Sequence, residues 1–138
     1  MELTTYPLAD ERTRDRRIAI TSDDQIWYVD YTRGSLGKFD PQTKKVAEWP
    51  LPGGKNSLPY GMAVDDRDRL WIAESGSQPN RLVGFDPKTA AFFSNTEIRG
   101  EMNIIRHMVF DKRSKLLWYG SDAGKIGHTA VMGMKTAM

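Results

Sequence analysis

The chain has 138 residues, 39% hydrophobic and 28% charged, which is enough apolar material to bury a core and excludes a disordered polypeptide. The net charge is only +2 with both signs interspersed, which is no electrostatic footprint for nucleic acid. Cysteine is absent, so disulfides and thiolate metal sites are excluded, and no apolar run approaches membrane-spanning length.

In chain order, the first element is a strand over Glu2–Leu8, "ELTTYPL", with no earlier strand to pair with. No charged-then-apolar leader pattern is present. A cytoplasmic location is therefore expected, or a periplasmic one if a leader has been removed. The basic stretch Glu11–Arg17 is broken by Glu11 and Asp15 and reads as a solvated loop. Next come a short apolar strand "RRIAIT", a polar turn "SDDQ", a strand carrying Trp27, a strand ending in Phe39-Asp40-Pro41, and the strand "VAEWPL". "GGKNS" (Gly53–Ser57) is no phosphate loop, because no helix follows it.

The order then repeats. "YGMAV", the turn "DDRDR", a strand with Trp71 and a strand ending in Phe85-Asp86-Pro87 form the second copy. "DDRDR" lacks the spacing and closing glutamate of an EF-hand calcium loop and reads as an ordinary turn. "RHMVF", "DKRSK", a strand with Trp118 and "KIGHTAV" form the third, followed by the tail "MGMKTAM" with Met132, Met134 and Met138. The second and third of these strands in each copy carry the tryptophan and then Leu36-Gly37, Val83-Gly84 or Ile126-Gly127.

Four short strands joined by Asp, Gly and Pro turns, repeating about every 45 residues, are the signature of a β-propeller blade. The expected fold is all-β: a propeller of four-stranded blades, three per chain. The expected boundaries are 1–10 for the first strand, 11–53, 54–100 and 101–131 for three blades, and 132–138 for the tail. The repeated tryptophans read as inter-blade packing residues. The third blade lacks an outer strand, and "ELTTYPL" matches "VAEWPL" as an outer strand without a blade. Three blades close no ring. One solution is a homodimer of half-propellers, six blades in all, with residues 2–8 of each chain completing the partner's third blade. The other is a fragment of a longer propeller.

The phrase apolar-Trp-aromatic/apolar-x-acid, then Ile/Leu/Val-Gly, then "EWPLP" resembles the repeat of the virginiamycin B lyase (streptogramin lyase) family. "SLPYGMAVDDRDRLWIAES" and "IIRHMVFD…LLWYGSDAGKIG" are particularly similar to it. The resemblance implies a propeller, and an activity that opens a cyclic depsipeptide by elimination with histidine, glutamate and Mg²⁺ near the axis. It places His107 on a catalytic histidine and Asp122 on the acidic metal-site position. It also departs from the family: the expected glutamate is Ile105, and Tyr60 aligns with the second catalytic histidine.

From the residues themselves, Arg17, Tyr60 and His107 on inner strands, and Asp30, Glu74 and Asp122 after the tryptophans, are expected to line one mouth of the central channel. Carboxylates there suit a hard divalent cation such as Mg²⁺, with Glu74 and Asp122 as ligands. Asp30 reads either as a ligand-facing group or as one fixing its own turn. His107 suits general-base work near neutrality. Tyr60 would orient substrate or donate to a developing oxyanion. Arg17 and Arg106 would bind carboxylate or ester groups. His128 is expected on the surface, away from the axis. Three functions follow as expectations: a Mg²⁺-dependent lyase acting on a small cyclic ester or depsipeptide, a non-catalytic propeller binding a peptide or small ligand, and a self-assembling half-propeller scaffold.

Overall fold

A computed structural model describes residues 1–131; the expected methionine-containing tail, 132–138, lies outside the described residues. Eleven strands are present among the described residues: β1 (Asp15–Ile20), β2 (Ile26–Asp30), β3 (Ser35–Phe39), β4 (Val46–Pro50), β5 (Pro59–Val64), β6 (Leu70–Glu74), β7 (Arg81–Asp86), β8 (Ala91–Glu97), β9 (Ile105–Asp111), β10 (Leu116–Ser121) and β11 (Ile126–Ala130). They form antiparallel sheets ordered β1-β2-β3-β4, β5-β6-β7-β8 and β9-β10-β11. These are three consecutive propeller blades, the third with three strands among the described residues. The only helical element described is one 3-10 turn, Gly54–Asn56. Accordingly, no described helix is long and apolar enough to cross a membrane.

The turns show why the repeat folds as it does. The residue three before each tryptophan (Asp24, Asp68, Lys115) lies at φ 62°, 59° and 63°. One left-handed residue in the same place closes each hairpin, a conformation that aspartate tolerates better than most residues. The Trp27 indole N–H donates to Thr21 Oγ1 at 3.0 Å, and that of Trp71 to Asp65 Oδ2 at 2.9 Å, so each ring is pinned to its own turn. Asp65 also accepts the backbone N–H groups of Arg67 and Arg69, which makes "DDRDR" a self-satisfied turn.

The core lies between blades. Trp27, Val29 and Leu36 of the first blade pack on Met62, Leu70, Ile72 and Phe85 of the second. Ala63, Trp71, Ala73 and Leu82 of the second pack on Ile105, Met108 and Leu117 of the third. The tryptophans therefore act as inter-blade packing residues wherever a following blade is described. His128 is exposed, as expected, and stacks against Trp118 at 4.5 Å.

Two expectations of register change. The glycines of the third strands are not all equivalent: Tyr28 pairs with Gly37 and Tyr119 with Gly127, whereas the residue facing Ile72 is Val83. A tyrosine ring lies directly over Gly37 and Gly127, where an added Cβ would sit 2.0 and 2.6 Å from ring atoms. Gly84, one place further along, yields instead to Phe93 and Trp71. In addition, residues 1–14 contain no strand, so "ELTTYPL" is not laddered to any described strand. A strand gains its stability from a neighbour's hydrogen bonds, and this segment has no such neighbour among the described residues.

Candidate functional site

The inner strands β1, β5 and β9 lie side by side with β5 in the middle. Their starts, together with the ends of β2, β6 and β10, form one mouth of the propeller. Each inner strand has a β-bulge at this end, between Asp15 and Ile18, Pro59 and Met62, and Ile105 and His107. Bulges re-aim side chains, and here they occur at the same level in all three blades.

The ladder also corrects which residues are level with one another. Trp27, Trp71 and Trp118 face Ala19, Ala63 and Val109, so the third turn holds one residue more than the other two. Tyr60 is therefore level with Arg16 and Arg106, while Arg17 and His107 are level with Gly61. Likewise Ser121, not Asp122, is the counterpart of Asp30 and Glu74. Arg16 was missed as the counterpart of Tyr60 although the first two turns are equally long and place the two residues level; the longer third turn accounts only for Arg106 standing there in place of His107.

All three blades converge on Tyr60. The guanidinium of Arg106 lies 4.9 Å from its ring centroid, that of Arg17 5.2 Å and that of Arg16 5.7 Å. Arg16 also covers Tyr31 at 4.7 Å, and Tyr31 meets Tyr60 edge-on at 5.8 Å. Arg17 Nε donates to the backbone oxygen of Arg106 at 2.8 Å and so ties β1 to β9 across the mouth. Arg106 forms a fork on Asp122, with Nε 3.1 and 3.0 Å from the two carboxylate oxygens and a terminal nitrogen 2.9 Å away. That contact, followed by the neighbouring Tyr60 hydroxyl, holds Arg106 above the usual guanidinium range and Asp122 below the usual carboxylate range.

The carboxylates do not gather. Asp30 is buried, and its Oδ1 accepts the backbone N–H groups of Arg14 and Arg33, both at 3.1 Å, while Oδ2 pairs with Arg33 at 3.3 Å. Both of its oxygens are thus engaged within its own blade. Glu74 is buried and accepts the Gly53 N–H at 3.0 Å, and burial pushes its carboxyl above the usual range. Asp122 is neutralised by Arg106. Among the described residues no group of three His, Asp or Glu side chains could hold a metal ion. Among the described residues, the three guanidinium groups at the mouth offer Mg²⁺ no oxygen ligand.

His107 is set apart from this cluster. It is exposed and borders a shallow depression on the open face of the third blade with Val109, Trp118 and Ile126.

No family model matches the chain. No curated protein matches it either. Solved structures do. A streptogramin B lyase superposes with a TM-score of 0.74 at 18% identity, over 89% of this chain and 39% of the other. A catalytically inactive virginiamycin B lyase from Staphylococcus aureus with quinupristin gives 0.73 at 16%, over 96% and 46%. A luciferin-regenerating enzyme gives 0.64 at 16%, over 86% and 45%. The fold is thus that of the virginiamycin B lyase-like propellers, and the chain spans less than half the length of these three proteins.

Proposed function

We propose that the chain is a ligand-binding propeller of virginiamycin B lyase-like fold that takes a small ligand bearing a carboxylate or similar oxyanion at the mouth formed by β1, β5 and β9. The observation that carries this reading is the set of Arg16, Arg17 and Arg106 around Tyr60. Among the described residues, only Arg106 of the three has a carboxylate partner, Asp122, and planar guanidinium groups suit oxyanions in paired geometry. Tyr60 and Tyr31 add flat surface for an apolar portion of the ligand. Calorimetric titration with citrate and with N-acetylated amino acids tests it. Binding that weakens about tenfold or more in Arg17→Ala, as expected for a lost charged hydrogen bond, supports the reading. Equal affinity for the corresponding amides would contradict it.

A second reading is a carbon–oxygen lyase on a cyclic ester or depsipeptide, favoured by the likeness to two lyase structures. His107 would remove the proton α to a carbonyl, the electron pair would form the new double bond, and the ester C–O bond would break with departure of a carboxylate. Product analysis by mass spectrometry after incubation with a cyclic depsipeptide separates the readings. An elimination product of unchanged mass, lost in His107→Ala, supports the lyase. Intact substrate at all times supports binding alone.

A further inference from the structure

We infer that a second copy of this chain docks its third blade on the first blade, with the amino-terminal segment already in the place of that blade's outer strand. The open faces that carry it lie away from the mouth, so it holds whatever the mouth binds.

Each blade has two faces of different kinds. The rear face carries the tryptophan, as in Ala63, Trp71 and Leu82, and the front face carries residues such as Met62, Leu70 and Phe85. Within the chain, rear always meets front. Among the described residues, one front face and one rear face are left without a mate. The open front is on the first blade, where Ile18 is 60% exposed against 4% for its counterpart Met62. The open rear is on the third, where Trp118 and Ile126 are 39% and 77% exposed against 2% and 5% for Trp71 and Leu82. Large adjoining apolar surface of this kind marks an interaction site. The two open faces are the two halves of the contact that the chain already makes twice.

Tyr6 supplies the second observation. In the first blade, Trp49 of the outer strand β4 packs on Phe85 of the next blade at 5.3 Å. Tyr6 packs on Phe39 at 5.2 Å, and Phe39 is the register counterpart of Phe85, each facing the first residue of the tryptophan strand (Ile26 or Leu70). Tyr6 therefore stands to the first blade as Trp49 stands to the second. It sits where the outer strand of a preceding blade belongs, although the other three strands of that blade are absent from its side. The third blade supplies three such strands and has no outer neighbour among the described residues. A second copy placing β9–β11 there, and receiving the same in return, closes a two-fold ring of six blades. The partner's β9 then flanks β1 as β5 does on the other side, so the mouth is complete only in the pair and is ringed by two arginine clusters.

The test is the mass of the 138-residue chain in solution by light scattering, beside the exposed-face variants Ile18→Lys and Ile126→Lys. Both side chains already meet solvent, so circular dichroism should show both variants folded. The native chain is expected at twice its 15.7 kDa mass and each variant at the single mass. In the Phe39→Cys/Trp118→Cys variant, the only thiols are the two introduced. A bismaleimide should therefore yield one covalent dimer. A native monomer, a dimer unaffected by either lysine, or a ladder of larger products would overturn the inference.

Discussion

At the residue scale, the buried acids are where the structure departs most from a cation site. Asp30 spends both oxygens within its own blade, on Arg14 and Arg33, so Asp30→Ala leaves their N–H groups without their acceptor. These donors are partly buried, so chemical denaturation should show a loss at or below the about 1–3 kcal/mol of a fully buried unsatisfied donor. Glu74 differs because burial raises its carboxyl above the usual range. A carboxyl raised in the folded state favours folding below its unfolded pKa, and that contribution is lost as pH rises through the folded value. Glu74→Gln should therefore melt progressively higher than the native protein as pH rises from about 4 to 7. A constant difference across that range would contradict the cause given. Ala90, exposed at φ 54°, bears the usual left-handed penalty, and Ala90→Gly should stabilise by up to about 1 kcal/mol. The acidic positions were legible in the sequence as recurring residues. Their distant partners were not: Arg33 lies in Asp30's own turn, but Arg14 and Gly53 come to Asp30 and Glu74 from separate loops.

At the element scale, the same tryptophan has two different environments. Trp71 is enclosed between blades, so Trp71→Ala should cost about 3–5 kcal/mol in unfolding free energy. Trp118 lies on an open face where, among the described residues, His128 is the one aromatic ring against it, tilted at 50°, so Trp118→Ala should cost the single chain under about 1 kcal/mol. In the Ile18→Lys background, which keeps the chain at its single mass, equal losses in the two variants would show that the third blade's rear face is not open. Strand order and inter-blade tryptophans could be read from the repeat, because period-two apolar runs and Asp/Gly turns act locally. The register of the inner strands could not. One extra residue in the turn before Trp118 moves Arg106, rather than His107, level with Tyr60, and a bulge hides this from simple counting. The equivalence of Gly37, Gly84 and Gly127 failed for a related reason, since a glycine is required wherever an aromatic ring crosses it and Ile72 makes no such demand.

At the scale of the whole molecule, the charge at the mouth and the open faces answer separate questions. The three guanidinium groups at Tyr60 favour an oxyanion whatever completes the ring, and binding driven by them should weaken as salt rises. The likeness to lyase structures covers less than half of those proteins and shows the fold, so chemistry at the mouth rests on the residues present. The mouth was legible as a place, because blade geometry brings inner-strand starts together, but its sign was not. Three recurring acids suggested a cation, and only folding showed them engaged while the arginines converge. The most direct measurement is arginine side-chain NMR during titration with citrate. The Nε–H resonances of Arg16, Arg17 and Arg106 are expected to shift together, with Arg33 and Arg69 unmoved. No shift, or shifts at Arg33 and Arg69 alone, would contradict it.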